Sequence, residues 1–301
     1  MSLAQEYDAL LFDLDGTVWH GDTPIPGAAA ALRGLDPIYL TNNASKAPEE
    51  VQRKLASMGL PTGTVLTSAQ AAISLAQELV PGASALILGA ASFRNLAEQA
   101  GLRVVDSADD NPQVVLHGHN PETGWAELSE AALAIARGAR YIASNRDTSL
   151  PSERGFLVGN GSMVAAVESA TGVRAVSAGK PETRMFEQAA QSARKPLVIG
   201  DRLDTDIAGG VAAGMDTLHV LTGVSTAQDL FIAPPEQRPT YVAPDLSGLH
   251  EEPQSLRPGP QGNFRVRREG TRIIVEGEGT EHQRLLTLLP VAWEGPFTEI
   301  L

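Results

Sequence analysis

Ala9-Leu10-Leu11-Phe12-Asp13-Leu14-Asp15-Gly16-Thr17 runs from an apolar tract into two acids and a glycine. Such a tract fits a short buried strand, and Gly16 marks the loop into which it empties. Asp13 and Asp15 stand two residues apart and share a face if the strand continues. At the C-terminal end of a parallel strand, side chains face the crevice where open α/β sheets take their ligands. A strand that simply ends in an Asp-Gly turn accounts for the same residues, so this stretch alone leaves both readings open.

Outward from it the chain alternates. Pro24 to Leu35 contains an Ala-rich helix, and Pro37 to Leu40 reads as an apolar strand closing on Thr41-Asn42-Asn43. Pro48 to Met58 reads as a helix stopped by Gly59, and Val65-Leu66 leads into a helix from Ser68 to Leu79. Strands alternating with helices imply a parallel sheet with crossover helices, an α/β fold. After Pro81-Gly82 the pattern restarts, with strands at Ala85 to Leu88, Val104-Val105, Val114 to Leu116 and Tyr141-Ile142. Ser92 to Ala100 and Trp125 to Ala136 are the helices between them. A helix near Gly161 to Ala170, a strand near Val173 to Val176 and a helix from Pro181 to Ser192 follow. Leu197 to Ile199 is a strand ending at Gly200-Asp201, then come a helix to Ala213 and a strand from Thr217 to Leu221. Pro253 to Gly262 reads as a Pro/Gly-rich linker to a hairpin (Phe264 to Arg267, Arg272 to Val275) and a short helix, His282 to Leu289.

Bulk composition narrows the partners. The chain has 301 residues and a formal net charge of −13, which repels nucleic acid and anionic membrane in the absence of a basic stripe. With no cysteine, disulfides and thiolate metal sites are excluded. No apolar run approaches a membrane span, and Met1 to Tyr7 lacks the basic and apolar parts of a signal peptide, so a cytoplasmic location is expected.

A second acidic group, Gly200-Asp201 and Thr205-Asp206, also follows a short apolar strand. If both strands are central, Asp13 and Asp201 converge on one crevice, where a hard cation with oxygen ligands is expected. Mg²⁺ suits a few carboxylates, retained water and phosphate oxygens. Acids complementing a helix dipole, Asp204 or Asp206, are the plainer alternative, which explains Asp204 well but not why two strand ends carry acids. Thr41 and the backbone N–H groups beside it offer donors to an anion, and Lys180, just ahead of a helix, offers an ammonium. Taken singly, Thr41 also reads as a cap and Lys180 as a solvated lysine.

Asp13-x-Asp15-Gly16-Thr17, Thr41-Asn42-Asn43, Lys180-Pro181 and Gly200-Asp201-x-x-x-Thr205-Asp206 resemble, in order and spacing, the four motifs of the haloacid dehalogenase superfamily. The long insertion between the second and third motifs resembles the α/β cap of the NagD and nitrophenyl-phosphatase subgroup. The resemblance covers roughly residues 7–245 and implies a Rossmann-like three-layer core (residues 1–83 and 175–250) and an inserted cap (84–174) that selects substrate; the hairpin and helix after the linker add a small α+β extension (253–301). It implies Asp13 as nucleophile and Asp15 as general acid/base. Thr41, Asn42 and Asn43 would bind the phosphoryl group, and Lys180 would stabilise its charge. Mg²⁺ would lie on Asp13, the Asp15 carbonyl and Asp201, with Asp206 behind them. Asp15 must carry a proton while Asp13 stays ionised, a separation that a cation on Asp13 favours.

The polar segment Ser144 to Pro151, ahead of Glu153-Arg154-Gly155, resembles the family's specificity loop, and Asn145 and Asp147 are expected on hydroxyls of the leaving group. A polar turn between strands is the plainer alternative. His119 reads as a loop residue, while Trp19 and His20 shape the entrance. Gly118 to Trp125 and the tail resemble bacterial glycerol-3-phosphate phosphatases, whose tail resembles an acetyltransferase fragment. Without a glycine-rich coenzyme-A loop no acetyl transfer is expected; the tail is expected to pack on the core or assist assembly. Glycerol 3-phosphate leads as substrate, with pyridoxal 5′-phosphate, phosphoglycolate and nucleoside monophosphates open. A phosphotransferase, or a protein that only binds a phosphometabolite, is the alternative class. A homodimer is carried as the assembly.

Overall fold

The computed structural model describes every residue of the chain except Glu153. Its strands are β1 (Ala9–Phe12), β2 (Trp19–His20), β3 (Thr23–Pro24), β4 (Pro37–Thr41), β5 (Thr64–Thr67), β6 (Ser84–Leu88), β7 (Arg103–Val105), β8 (Val114–His117) and β9 (Arg140–Ala143). They continue as β10 (Ser149–Ser152), β11 (Gly155–Val158), β12 (Val176–Ser177), β13 (Pro196–Gly200), β14 (Asp216–Val220), β15 (Tyr241–Ala243), β16 (Arg265–Glu269), β17 (Arg272–Glu276) and β18 (Glu299–Ile300). The helices used below are α1 (Ala28–Ala31), α2 (Pro48–Ser57), α3 (Ser68–Leu79), α4 (Ala91–Gln99), α5 (Trp125–Ala136), α6 (Asn160–Thr171), α7 (Arg184–Ala189), α8 (Ala208–Ala212), α9 (Ala227–Phe231) and α10 (Glu281–Ala292). Two compact units share the chain: Met1–Tyr39, Leu55–Thr64 and Ala189–Leu301 form one, Leu40–Lys54 and Val65–Gln188 the other.

In the first unit β1 lies between β13 and β4, all parallel, and β14 and β15 extend the sheet beyond β13. Leu10, Leu11 and Phe12 on β1 and Leu197, Val198 and Ile199 on β13 are all buried. A central parallel strand covered on both faces requires such an uninterrupted apolar run. The Ala-rich helix expected within Pro24 to Leu35 is the short α1, flanked by Gly27 and Gly34, which both take left-handed φ (84° and 79°).

The tail belongs to this unit. α10 carries Leu285, Leu286 and Leu289 into a cluster with Leu203, Ile207, Leu230 and Val242. The stretch expected to be a linker holds a short 3₁₀ turn, Pro253–Leu256, whose Leu256 is fully buried. Beyond it, the Gly259 N–H donates to the Leu286 carbonyl. Because Leu286 is wholly inside, Leu286→Ala is expected to lower stability by about 2–5 kcal/mol, read from the urea midpoint. A midpoint at the wild-type value would mean that the tail contributes nothing to this core.

The second unit has its own parallel sheet, in the order β12-β9-β8-β6-β7. β10 and β11 pair as an antiparallel hairpin, so the end of the segment expected to be a loop is a strand. Glu153, beside that segment, lies outside the described residues. Thr67 caps α3 reciprocally: its Oγ1 accepts the Gln70 N–H and the Gln70 side chain accepts the Thr67 N–H.

His117, at the end of β8, is buried with its Nδ1 2.8 Å from the Tyr141 hydroxyl, and burial lowers its pKa to about 4. The folded state thus favours neutral imidazole. Its contribution is complete above the unfolded value of about 6.5, and is lost as pH falls from there through about 4. By pH 4 the loss is about 3 kcal/mol, and His117→Gln should flatten the pH dependence of stability by that amount. Denaturant melts from pH 7 to pH 4 measure it; an unaltered slope would place the acid sensitivity elsewhere.

Among the described residues no helix is long and apolar enough to cross a membrane.

Candidate active site

In the first unit Asp13 follows β1 and Asp201 follows β13, and these neighbouring parallel strands bring the two carboxylates together. Asp13, Asp201 and Asp206 each place a carboxylate oxygen within 4.8 Å of the others'. Asp201 and Asp206 are almost fully buried, and Asp13 is partly exposed. Three like charges at this spacing repel strongly where water is scarce, and a hard divalent cation with oxygen ligands offsets them.

The surroundings are shaped for these acids. Thr17 Oγ1 donates to Asp201 Oδ1 at 3.0 Å, and the Val224 N–H donates to Asp201 Oδ2 at 2.7 Å. A Cβ on Gly16 would lie 2.5 Å from Asp201 Oδ2, and one on Gly223 only 1.9 Å from it. Glycine at these two positions is therefore what admits the carboxylate. Asp206 leaves a π-helical turn, Leu203–Ile207, in which the Ile207 N–H reaches the Arg202 carbonyl five residues back. Its Oδ2 accepts the Arg202 N–H at 3.2 Å. Expected behind the ion, Asp206 stands in the same cluster as Asp13 and Asp201.

The Asp15 carboxylate is outside that cluster, its Oδ1 accepting from Trp19 Nε1 at 2.7 Å. Trp19 and His20 form β2, which pairs with β3, and the His20 ring contacts the Thr222 carbonyl at 2.9 Å. Thr222 Oγ1 donates to the Gly16 carbonyl at 2.6 Å. The β2–β3 turn, the Asp15 loop and the loop after β14 are thereby tied together.

The second unit assembles the other expected residues. Thr41 is buried at the end of β4, and its Oγ1 accepts the Asn43 N–H at 3.1 Å, which leaves the hydroxyl proton to donate. The Asn43 side chain closes a turn, accepting from the N–H and the hydroxyl of Ser45. Lys180 is only 4% exposed, and its Nζ donates to the Leu40 carbonyl at 3.1 Å. Asn145 is 4% exposed, with its Nδ2 on the Asn42 carbonyl (2.7 Å) and its Oδ1 accepting the Asp147 N–H (3.1 Å). The amide expected on a substrate hydroxyl is thus engaged inside the protein. Asp147 is partly exposed, and its carboxylate accepts from Asn42 Nδ2.

The turn from Asn145 to Asp147 is held from a second side by α6. Asn160 Nδ2 donates to the Asn145 carbonyl at 2.8 Å, and the Gly161 N–H donates to the Asp147 carbonyl at 2.8 Å. A Cβ on Gly159 or Gly161 would lie 2.2 Å from the Asp147 or Arg146 carbonyl oxygen, respectively.

Residues 10–103 match the family described as haloacid dehalogenase-like hydrolase, and residues 177–249 the one described as HAD-hydrolase-like. A D-glycerol 3-phosphate phosphatase of Mycobacterium tuberculosis is 45% identical over 285 residues, spanning 92% of this chain and 81% of that protein. The chain belongs to the haloacid dehalogenase-like hydrolases. This hydrolase is also 37% identical to an acid sugar phosphatase of Staphylococcus saprophyticus over 259 residues, 82% of this chain and 98% of the relative. Among solved structures, the crystal structure of the glycerol phosphate phosphatase of Mycobacterium tuberculosis in complex with magnesium matches with a TM-score of 0.95 at 42% identity. That match covers 100% of the hydrolase and 94% of the other chain.

Thr17, Gly223, Val224, Asn160 and Gly179 pack against the candidate site residues, and the sequence reading assigns none of them a role. Thr17 lies within the first acidic motif and Gly179 directly before Lys180-Pro181. Thr222-Gly223 after the strand expected at Thr217 to Leu221 was the available signal for the loop that holds Asp201.

Proposed function

We propose that the protein is a Mg²⁺-dependent phosphomonoesterase that hydrolyses glycerol 3-phosphate through an aspartyl-phosphate on Asp13. The observation that carries the chemistry is the meeting of the Asp13, Asp201 and Asp206 carboxylates. The substrate rests on similarity to a D-glycerol 3-phosphate phosphatase that extends over 92% of the chain.

Asp13, Asp201 and Asp206, with the Asp15 carbonyl, would hold Mg²⁺, whose chemistry is to draw charge from phosphoryl oxygens and keep Asp13 ionised. In the first step an Asp13 carboxylate oxygen bonds to phosphorus, the P–O bond to the alcohol breaks, and Asp15 gives its proton to the departing alkoxide. In the second, Asp15 takes a proton from water as the water oxygen bonds to phosphorus. The bond to Asp13 then breaks and inorganic phosphate leaves. Splitting one displacement into two lowers a barrier that is very high for monoesters in water. The Trp19 indole N–H on Asp15 Oδ1 fixes the orientation of that acid/base. Thr41 and the Asn42 N–H take phosphoryl oxygens, and the Lys180 ammonium offsets their charge.

In this reading residues 1–83 and 175–250 form the catalytic core and 84–174 the cap. Asp147, partly exposed, contacts the leaving group, and Asn145 positions the turn that carries it. Residues 253–301 are the extension, and cytoplasmic residence and a homodimer belong to the same proposal, the latter testable by sedimentation.

The decisive experiment is phosphate release with Mg²⁺ from a panel of glycerol 3-phosphate, sugar phosphates, pyridoxal 5′-phosphate, phosphoglycolate and nucleoside monophosphates. The highest kcat/KM is expected for glycerol 3-phosphate. A preference of tenfold or so for another ester would reassign the substrate but keep the class; no release from any would remove the class.

A further inference from the structure

The side chain of Asn42 has a role distinct from the backbone donor assigned above. Its Oδ1 accepts the Lys180 N–H at 2.9 Å, and its Nδ2 donates to the Lys180 carbonyl at 3.1 Å. Nδ2 also faces both carboxylate oxygens of Asp147, at 3.2 and 3.4 Å. An amide nitrogen carries two hydrogens, so one serves Lys180 and the other Asp147. The Asn42 carbonyl accepts from Asn145 Nδ2 and from Ser68 Oγ, at 2.7 and 2.6 Å.

An amide group is planar, so its oxygen and nitrogen turn together. Asn42 cannot follow a displacement of Asp147 without disturbing both bonds to the Lys180 backbone. Space around it is tight as well: a Cβ on Gly179, next to Lys180, would lie 2.6 Å from Asn42 Oδ1 and 2.4 Å from the Ser144 carbonyl oxygen. From the Lys180 backbone the side chain runs to Leu40, where Nζ is held at 3.1 Å. Its starting point is what Asn42 sets.

We infer that Asn42 is a positioning residue through which Asp147 governs the placement of Lys180. Substrate selection at Asp147 and charge stabilisation at Lys180 are then one coupled device. The inference rests on the phosphatase reading above. Its distinguishing consequence is that Asp147 affects hydrolysis even of an ester that has no hydroxyl to bind.

The test is a double-mutant cycle of Asn42→Asp and Asp147→Asn, with para-nitrophenyl phosphate and glycerol 3-phosphate as probes. Asn42→Asp keeps an acceptor for the Lys180 N–H, loses the donor to its carbonyl and sets a carboxylate against Asp147. Asp147→Asn in the same chain restores a donor–acceptor pair with reversed polarity. On para-nitrophenyl phosphate, Asn42→Asp is expected to lower kcat about tenfold or more and the double variant to recover at least about threefold, within the range of coupled neighbours. KM should move less than kcat, and thermal melts should show all four proteins folded at the assay temperature.

Additive effects on the aryl ester, with coupling confined to glycerol 3-phosphate, overturn the inference and leave Asp147 acting on the substrate alone. Losses that follow the folded fraction, with kcat per folded molecule unchanged, also overturn it. If the unaltered protein hydrolyses neither ester, the phosphatase reading itself fails, and this inference with it.

Discussion

Asp13→Asn is expected to abolish phosphate release, a loss of about 10⁴-fold or more, as for removal of other covalent nucleophiles. The substitution changes little but chemistry. Asn has nearly the shape of Asp, and the backbone bond from the Asp13 N–H to the Ile199 carbonyl at 2.8 Å does not involve the side chain. What disappears is the anionic oxygen that bonds to phosphorus. One of three clustered negative charges disappears too, so Mg²⁺ affinity should fall without vanishing, since Asp201 and Asp206 remain. Rapid quenching of the unaltered enzyme should trap a phosphoprotein that hydroxylamine cleaves, and the variant should yield none. Calorimetry should still detect Mg²⁺-dependent binding of glycerol 3-phosphate to the variant. Turnover within about tenfold of wild type would place the nucleophile elsewhere.

Asp13 and Asp201, the most legible parts of this site, share a physical property: each is fixed by its own strand. Asp13 and Asp201 close continuous apolar runs of the kind central parallel strands need, so their meeting was expected once both strands were taken as central. Asp206 was harder. Its segment reads as an ordinary helix start, with acids in the first turn, but one extra residue in the π-helical turn re-aims the side chain beside Gly200, where a Cβ would lie 2.3 Å from the Asp206 Cβ. No periodicity in Leu203-Asp204-Thr205-Asp206-Ile207 announces that register.

Asn145 and Asn42 were harder still, because an amide looks alike in a sequence whether it faces solvent, substrate or a neighbouring carbonyl. Their hydrogen bonds join residues more than a hundred positions apart, and polar side chains carry no pattern that reports such pairings. The tail shows the same division. α10 was visible as an apolar helix near its observed limits. That it packs beside the π-helical turn, through Leu203 and Ile207, depends on contacts that only the fold creates.

Removal of the Lys180 ammonium is expected to cost about 10²-fold or more in kcat, the scale seen when one preorganised charge-stabilising donor is lost. Lys180→Ala deletes the charge and also opens a void, because the side chain is 4% exposed. Lys180→Met separates the two effects, since it keeps most of the volume and loses the charge and the ammonium donors, among them the one to the Leu40 carbonyl. Both variants should lose a similar factor in kcat, while Lys180→Ala alone should melt at a distinctly lower temperature. Arginine should rescue poorly: its planar fork is wider than an ammonium and cannot enter the same space beside Leu40. Because the charge matters most where the phosphoryl group carries most negative charge, kcat should fall further than KM rises. A decrease smaller than about tenfold for Lys180→Met would mean that this buried ammonium neutralises the protein's own carboxylates rather than the transferring group.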